Sequence, residues 1–249
     1  MELSKRLKAV ADLLDVHNSV ADIGCDHGFV SIFLIKSKKA KKCIAMDINQ
    51  GPLERAEEHI AEEGLNTYIE TRISDGAKEL KFLDQEQKDK ELEVEAAILA
   101  GMGGRLTIKI IEESLEKFLA MKEFILQPQS EIWKVREYVE QIGCKIMKED
   151  MVLEEGKFYP ILKVSTISDD KNQIYDEREK EIFYHYGEDL LKNHNEILYD
   201  FLMNEKRVWE EILEDLKTKN TSKTESRKKE LEEKLNITIQ GLEWFENDL

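Results

Sequence analysis

The stretch Val20-Ala21-Asp22-Ile23-Gly24-Cys25-Asp26-His27-Gly28 decides the fold of this 249-residue chain. A short apolar strand runs into a glycine-bearing turn, and an apolar helix-like run, Phe29-Val30-Ser31-Ile32-Phe33-Leu34-Ile35, follows it. A strand–turn–helix of this kind opens a βαβ nucleotide-binding unit, and glycines in the turn let backbone approach a ligand where a side chain would collide. Roughly twenty residues further on, Cys43-Ile44-Ala45-Met46-Asp47 reads as a second strand ending in an acid, placed to grip a ribose diol. Together the two segments imply an adenosine-containing cofactor.

The turn itself narrows the choice. A dinucleotide fingerprint carries three glycines in a G-x-G-x-x-G spacing with a pyrophosphate on the helix N-terminus. Only Gly24 and Gly28 are present here, and Asp22 and Asp26 bracket the first of them. Carboxylates repel a pyrophosphate but attract the amino group and sulfonium of S-adenosylmethionine (SAM). Either aspartate alone could simply cap the following helix; the set formed with Asp47 favours SAM.

Working outward, residues 1–165 alternate strand and helix. The spacing predicts a helix over 51–63, with Pro52 in its first turn and Gly64 closing it. A strand over 68–73 leads into Ser74-Asp75-Gly76, and the charged stretch 84–93 reads as a surface loop or frayed helix. The run 95–100 is a buried strand ending in Gly101-Met102-Gly103-Gly104, with a helix to about Phe118 after it. A fifth strand, 123–126, ends in Gln127-Pro128-Gln129; a helix over 132–142 then precedes a hairpin of 144–153 and 158–165. The expected class is α/β: a doubly wound, Rossmann-like parallel sheet with an antiparallel edge. From 166 to 249 no strand pattern remains. Apolar residues stepping by four and three from Leu191 to Leu216, and again from Leu231 to Leu249, predict two amphipathic helices joined by a polar turn at 218–224. That is a coiled-coil-like helical hairpin, serving as a packing or dimer arm or as one whose basic tip rests on a phosphate backbone.

Composition sets outer limits. The net charge of −16 divides as −7 over 1–165 and −9 over 166–249, which at first sight disfavours a nucleic-acid partner. Basic clusters survive nonetheless at Lys5, Arg6 and Lys8, at residues 36–42, and at Lys217, Lys219, Lys223, Arg227, Lys228 and Lys229. Any one of them could be merely a solvated face, and distribution matters more than the sum. Three cysteines without C-x-x-C spacing argue against a disulfide framework or a zinc site, so no metal is expected. No apolar run is long enough to cross a bilayer and no signal-peptide core follows the N-terminus. A soluble, cytoplasmic protein, monomeric or weakly dimeric, is expected.

Ligands of open α/β sheets lie beyond the carboxyl ends of the strands. Asp22, Gly24 and Gly28 are therefore assigned to the methionine end of SAM, Asp47 to the ribose, and Asp75-Gly76 to the adenine edge. Ala100 and Gly101, with Met102 to Gly104, would face the methyl group and the incoming substrate. Gln127 and Pro128, followed by Gln129, would offer amides to a base edge.

Taken together, Leu3-Ser4-Lys5-Arg6-Leu7, Ala21-Asp22-Ile23-Gly24-x-Asp26-His27, Gly51-Pro52, Asp75-Gly76, Ala100-Gly101-Met102-Gly103-Gly104 and Leu126-Gln127-Pro128 resemble the bacterial TrmK family. Members of that family are SAM-dependent methyltransferases of N1 of adenine 22 in tRNA, with a Rossmann-like domain and a coiled-coil-like C-terminal domain. The resemblance spans essentially the whole chain and is strongest over 3–165; Gln129 departs from it, since asparagine is expected after the proline. It implies a positioning mechanism in which Asp26, His27, Gly101, Met102, Gln127 and Pro128 surround the reaction. Lys5, Arg6, Lys223, Arg227, Lys228 and Lys229 would meet tRNA. His27 could instead only brace the turn. A SAM enzyme acting on another RNA or a small molecule, and a non-catalytic SAM- or RNA-binding module, remain the alternatives.

Overall fold

The computed structural model describes residues 3–83, 91–166, 175–217 and 222–246, and side chains at 217 and 222–224 lie outside that description. The charged stretch 84–93 lies outside it over residues 84–90, the polar turn over 218–221, and Leu249 with the last three residues. Two compact units divide the chain, residues 1–172 and 173–249. Sequence alone places the division after residue 165; residues 167–174 lie outside the described ones.

The first unit runs α1 (Lys5–Leu13), β1 (His17–Ile23), α2 (Phe29–Lys36), β2 (Ala40–Asp47), α3 (Gln50–Glu62), β3 (Ile69–Ile73), β4 (Ala96–Met102), α4 (Gly104–Glu112), α5 (Leu115–Ala120), β5 (Glu123–Pro128), α6 (Ile132–Gln141), β6 (Lys145–Glu154) and β7 (Lys157–Ser165). The seven strands lie in the order β3-β2-β1-β4-β5-β7-β6. All pairs through β5 are parallel, and β7 and β6 are antiparallel additions. The doubly wound sheet with an antiparallel edge expected from the strand pattern is thus the observed architecture. Its central strands read as unbroken apolar runs because both faces are covered. Ala21, Leu99, Phe124 and Leu126 join one core with Phe118 and Val135, while Val20, Ile98 and Ile125 join the other with Val10, Ile32 and Leu53.

Local differences have local causes. Helix α1 has no counterpart in the strand and helix pattern read from the sequence; Ser4 caps it by accepting the Leu7 N–H at 3.3 Å, and Val10 and Ala11 are fully buried. The single helix expected up to Phe118 breaks at Ser114, which is buried. The break lets Phe118 turn under the sheet, edge-on to Phe124 at 5.3 Å.

The second unit holds α7 (Glu177–Tyr186), α8 (Glu188–Lys192), α9 (Glu196–Lys217) and α10 (Ser222–Glu243). Helix α7, closed by an Asp176–Glu179 capping box, has no counterpart in the sequence reading. The apolar series starting at Leu191 does not form one helix: it turns at His194 (φ 48°), and Asn195 caps α9 by accepting the Leu198 N–H at 3.0 Å. The hairpin itself is present. Leu202 lies beside Gly241, Glu205 beside Thr238, and Lys234 over Trp209, so positions rise on one helix as they fall on the other. Glu205 and Thr238, polar interruptions of the two apolar series, bond one another at 3.1 Å and share the Tyr186 hydroxyl. Burial holds the Glu205 carboxyl above the usual carboxylate range. No helix among the described residues is long and apolar enough to cross a membrane.

Candidate active site

A cavity of about 500 Å³ opens where β1, β2, β4 and β5 end, at the point where the strand order reverses between β1 and β4. Its β1–β3 side is acidic, with Asp22, Asp26, Asp47 and Asp75 all in the lining. Asp22, next to last in β1, is 4% exposed. Its Oδ2 accepts from the Ser31 N–H at 3.2 Å and the Ser31 hydroxyl at 2.7 Å, so it also caps α2 from outside the helix. Burial, opposed by these two bonds and reinforced by the charge of Asp47, pushes the Asp22 carboxyl up to about 6. The helix-capping role open to Asp22 in the sequence is therefore real, and it coexists with a place in the cavity wall.

The other acids are wetter. Asp47 uses Oδ1 to accept the Asn49 N–H at 2.9 Å and stands half-buried at the end of β2. Asp75 is exposed and hydrogen-bonds Lys78, which holds its carboxyl below the usual range. Asp26 sits at φ 49° with Arg55 at 3.4 Å and the His27 ring nitrogen Nε2 at 3.6 Å. His27 stacks on Phe29 at 5.3 Å, and His59 packs on Phe29 at 4.8 Å while its Nδ1 meets the His27 carbonyl at 3.0 Å. His27 lines the cavity, but its ring does not hydrogen-bond the turn: Nδ1 is buried with no hydrogen-bond partner among the described residues. Burial raises the Cys25 thiol well above its ordinary range, which suits a packing residue and not a nucleophile.

The glycines divide by task. Gly24, Gly76 and Gly101 line the cavity, and Gly28 does not. At φ 72°, Gly28 packs against α3, where an added Cβ would stand 3.0 Å from that of Ala56. Gly104 brings backbone against backbone: a Cβ there would lie 2.4 Å from the Ser130 carbonyl oxygen, which accepts the Gly104 N–H. The run 101–104 therefore needs more than one glycine for two reasons, one of them the packing of α4 on the loop after β5.

The β4–β5 side carries no carboxylate, and its charged residue is Arg6. Between Ala100 and Met102 the β4–β5 register slips by one residue, a bulge centred on Gly101 (φ 82°). A bulged residue loses its ladder partner. The Gln127 side chain supplies one, accepting the Gly101 N–H at 3.1 Å on Oε1. Gln127 is fully buried, and neither it nor Pro128 lines the cavity; Gln129 does. Arg6 arrives from α1, donating to the same Gln127 Oε1 at 2.7 Å with its guanidinium over the Tyr159 ring. Lys5 is exposed nearby in sequence but outside the lining. Sequence reasoning passes over Ser74, Ile48, Phe29 and Leu106, all lining residues. Ile48 and Leu106 could have been found as apolar residues following strand-end motifs, and they stay 60% and 49% exposed.

In the second unit Arg227 pairs with Glu230 at 2.7 Å and Lys228 reaches Glu232 at 4.0 Å, while Lys229 is exposed. Lys223 has no described side chain. No group of three or more His, Cys, Asp or Glu among the described residues could hold a metal ion.

Comparison with known proteins adds the following. The methyltransferase-domain family matches residues 3–162. A tRNA (adenine(22)-N(1))-methyltransferase of Bacillus subtilis is 28% identical over 238 residues, covering 95% of each chain. The crystal structure of the B. subtilis m1A22 tRNA methyltransferase TrmK superposes with a TM-score of 0.80 at 26% identity, over 96% of this chain and 98% of that one. Streptococcus pneumoniae Sp1610 in complex with S-adenosyl-L-methionine gives a TM-score of 0.77 at 26% identity, over 97% and 100%.

Proposed function

The chain belongs to the methyltransferase-domain family, and on that premise we propose that it transfers a methyl group from SAM to N1 of adenine 22 in tRNA. The observation that carries the reading is the division of one cavity into a side over β1–β3 with four aspartates and a side over β4–β5 with no carboxylate, whose charged residue is Arg6. The acidic side fits a cationic cofactor. Asp22, ionised in a buried site, is stabilised by an ammonium or sulfonium and would be further penalised by a phosphate. Asp47, with Oδ2 left over, suits the ribose hydroxyls, and Ile48 and Leu106 offer apolar faces to a purine. When bound, SAM supplies an electrophilic methyl group.

The rest falls to the chain. Adenine N1 carries a free lone pair at neutral pH, so no base is needed, and the protein's task is to hold that nitrogen in line at attack distance. In folded tRNA the base must leave its stack, and a pocket surface offsets part of that cost. Met102 and the His27–Phe29 stack provide such a surface. The methylated base is a cation, and Asp26 and the carbonyls of the 101–104 loop are the groups assigned to stabilise the developing positive charge. Arg227, Lys228 and Lys229 at the start of α10 are read as tRNA contacts. The protein is taken to work in the cytoplasm, as a monomer or weak dimer.

The direct test is methyl transfer from labelled SAM to an unmodified tRNA transcript with adenine at position 22 and to the same transcript with guanine there. Incorporation is expected only with adenine; equal incorporation in both would exclude this target. The helical unit is tested by Lys228→Ala with Lys229→Ala. Two phosphate contacts fewer should lower the salt slope of tRNA binding by about 1.4 to 1.8 and leave SAM affinity unchanged. An unaltered slope would reduce α10 to a packing element.

A further inference from the structure

Gln127 reaches neither cavity nor solvent, yet its one carbonyl oxygen takes two donors from segments far apart in the chain: the Gly101 N–H at 3.1 Å and Arg6 at 2.7 Å. Gly101 lies on the β4 bulge, and Arg6 on α1, 121 residues before Gln127. A buried amide that bridges a bulged backbone site and a cation at the cavity edge is a positioning device. What it positions is unusual for this site. Among the described residues Arg6 makes no ion pair, although four carboxylates line the same cavity. Its guanidinium is held by a neutral amide and an aromatic face, neither of them an anion, while the Glu154 carboxylate accepts the Arg6 backbone N–H at 3.4 Å.

We propose that Gln127 and Tyr159 hold the Arg6 guanidinium as the receptor for a backbone phosphate of the RNA next to the methylated nucleotide. The inference rests on the methyltransferase reading above. Two anions could meet an arginine here, the carboxylate of SAM and a phosphate of the RNA, and the sheet order favours the second. The acidic residues that suit the cofactor lie at the ends of β1, β2 and β3. Arg6 is bound over β5 and β7, two and three strands beyond β1 on the other side of the switch point. The guanidinium nevertheless reaches back to Gly101 on β4, the strand next to β1, so the experiment below reads both anions. Gly101 lies between, within reach of both: a Cβ on Gly101 would come within 3.7 Å of the Arg6 guanidinium and 3.8 Å of the Gln129 amide. A phosphate taken by Arg6 would therefore fix the backbone of a nucleotide whose base faces Gln129 and Met102. The planar fork of arginine suits a phosphate, and one nitrogen tethered to Gln127 leaves the others to donate.

The experiment measures tRNA and SAM affinities across salt concentration for the wild type, Arg6→Ala and Gln127→Glu, after showing that the wild type methylates the adenine-22 transcript. Glutamate at 127 keeps an acceptor for Gly101 but pairs with Arg6 and cancels its charge. Both variants are expected to bind tRNA about tenfold more weakly, with the salt slope reduced by about 0.7 to 0.9, one phosphate contact fewer, and with SAM affinity within twofold of wild type. Arg6→Lys should restore the slope in part. A fall in SAM affinity with an unchanged tRNA slope would assign Arg6 to the cofactor carboxylate and overturn the proposal, as would an unchanged slope with both affinities intact. A wild type that leaves the transcript unmethylated would remove the underlying reading, and this inference with it.

Discussion

Replacing Asp22 with asparagine is expected to weaken SAM binding by roughly two orders of magnitude, about 3 kcal/mol, the scale of a charge-assisted bond lost from a buried site. Asparagine is nearly isosteric and can still accept from Ser31, so α2 keeps its outside cap and the change isolates the charge. The same substitution should raise thermal stability at pH 7. An acid pushed up to about 6 by burial is ionised at neutral pH at a cost to the folded state. The sign follows from comparing the two states. Below about pH 4 the carboxyl is protonated folded and unfolded alike and nothing is lost; between about 4 and 6 the unfolded chain releases the proton first, and above 6 the penalty is complete. The wild type should therefore lose about 1 to 3 kcal/mol relative to the variant over that interval. Cofactor affinity moves the opposite way. If SAM requires the ionised form, wild-type affinity at pH 5 should be about tenfold below that at pH 7, with no such dependence in the variant. Calorimetric titration and thermal melts across pH 4–8 check both, and an Asp22→Asn protein that binds SAM normally would remove Asp22 from the cofactor site.

Breaking the Arg136–Glu149 pair should have the largest effect on stability. Arg136 on α6 donates from Nε to Glu149 on β6 at 2.8 Å, and the two side chains are 3% and 1% exposed. Glu149→Leu alone leaves a guanidinium in a dry site and is expected to cost about 3 to 5 kcal/mol. At 2 to 4 °C per kcal/mol that is a fall in Tm on the order of 10 °C. Arg136→Met together with Glu149→Leu removes both charges and should recover most of the loss, because a well-packed apolar pair of similar volume avoids the desolvation penalty. A double variant as unstable as the single one would show that other bonds of these side chains, not the pair, hold α6 to β6.

The features legible in the sequence are those with a local cause. Strands β1, β4 and β5 announce themselves because burial on both faces makes them continuous apolar runs, and the acids at 22, 47 and 75 fall at the cavity because parallel strands all end on one side. The seam of the helical hairpin is visible as a period, including its polar positions Glu205 and Thr238, although only their mutual bond explains them. Helix α7 and the turn at His194 are not visible, since the first has a short apolar stripe and the second depends on a single residue in the left-handed region.

Within the candidate site the boundary is just as physical. Glycine spacing reveals that backbone comes close to something, but not to what. For Gly28 the neighbour is α3 and for Gly104 the Ser130 carbonyl, and only three-dimensional packing separates these from the cavity glycines 24, 76 and 101. Likewise Gln127 and Gln129 are equivalent amides two residues apart until the β4 bulge frees the Gly101 N–H and draws one of them into the interior. The parallel sheet, its acidic turns and the strand ends where chemistry would gather are all readable from residue order alone, because each follows from short-range periodicity and the directionality of strands. That Arg6 meets Gln127 across 121 residues, and that Gln129 faces the cavity while Gln127 braces it from behind, emerges from the folded packing. Such contacts depend on the register of elements distant in the chain, for which no local pattern of residues carries a signal.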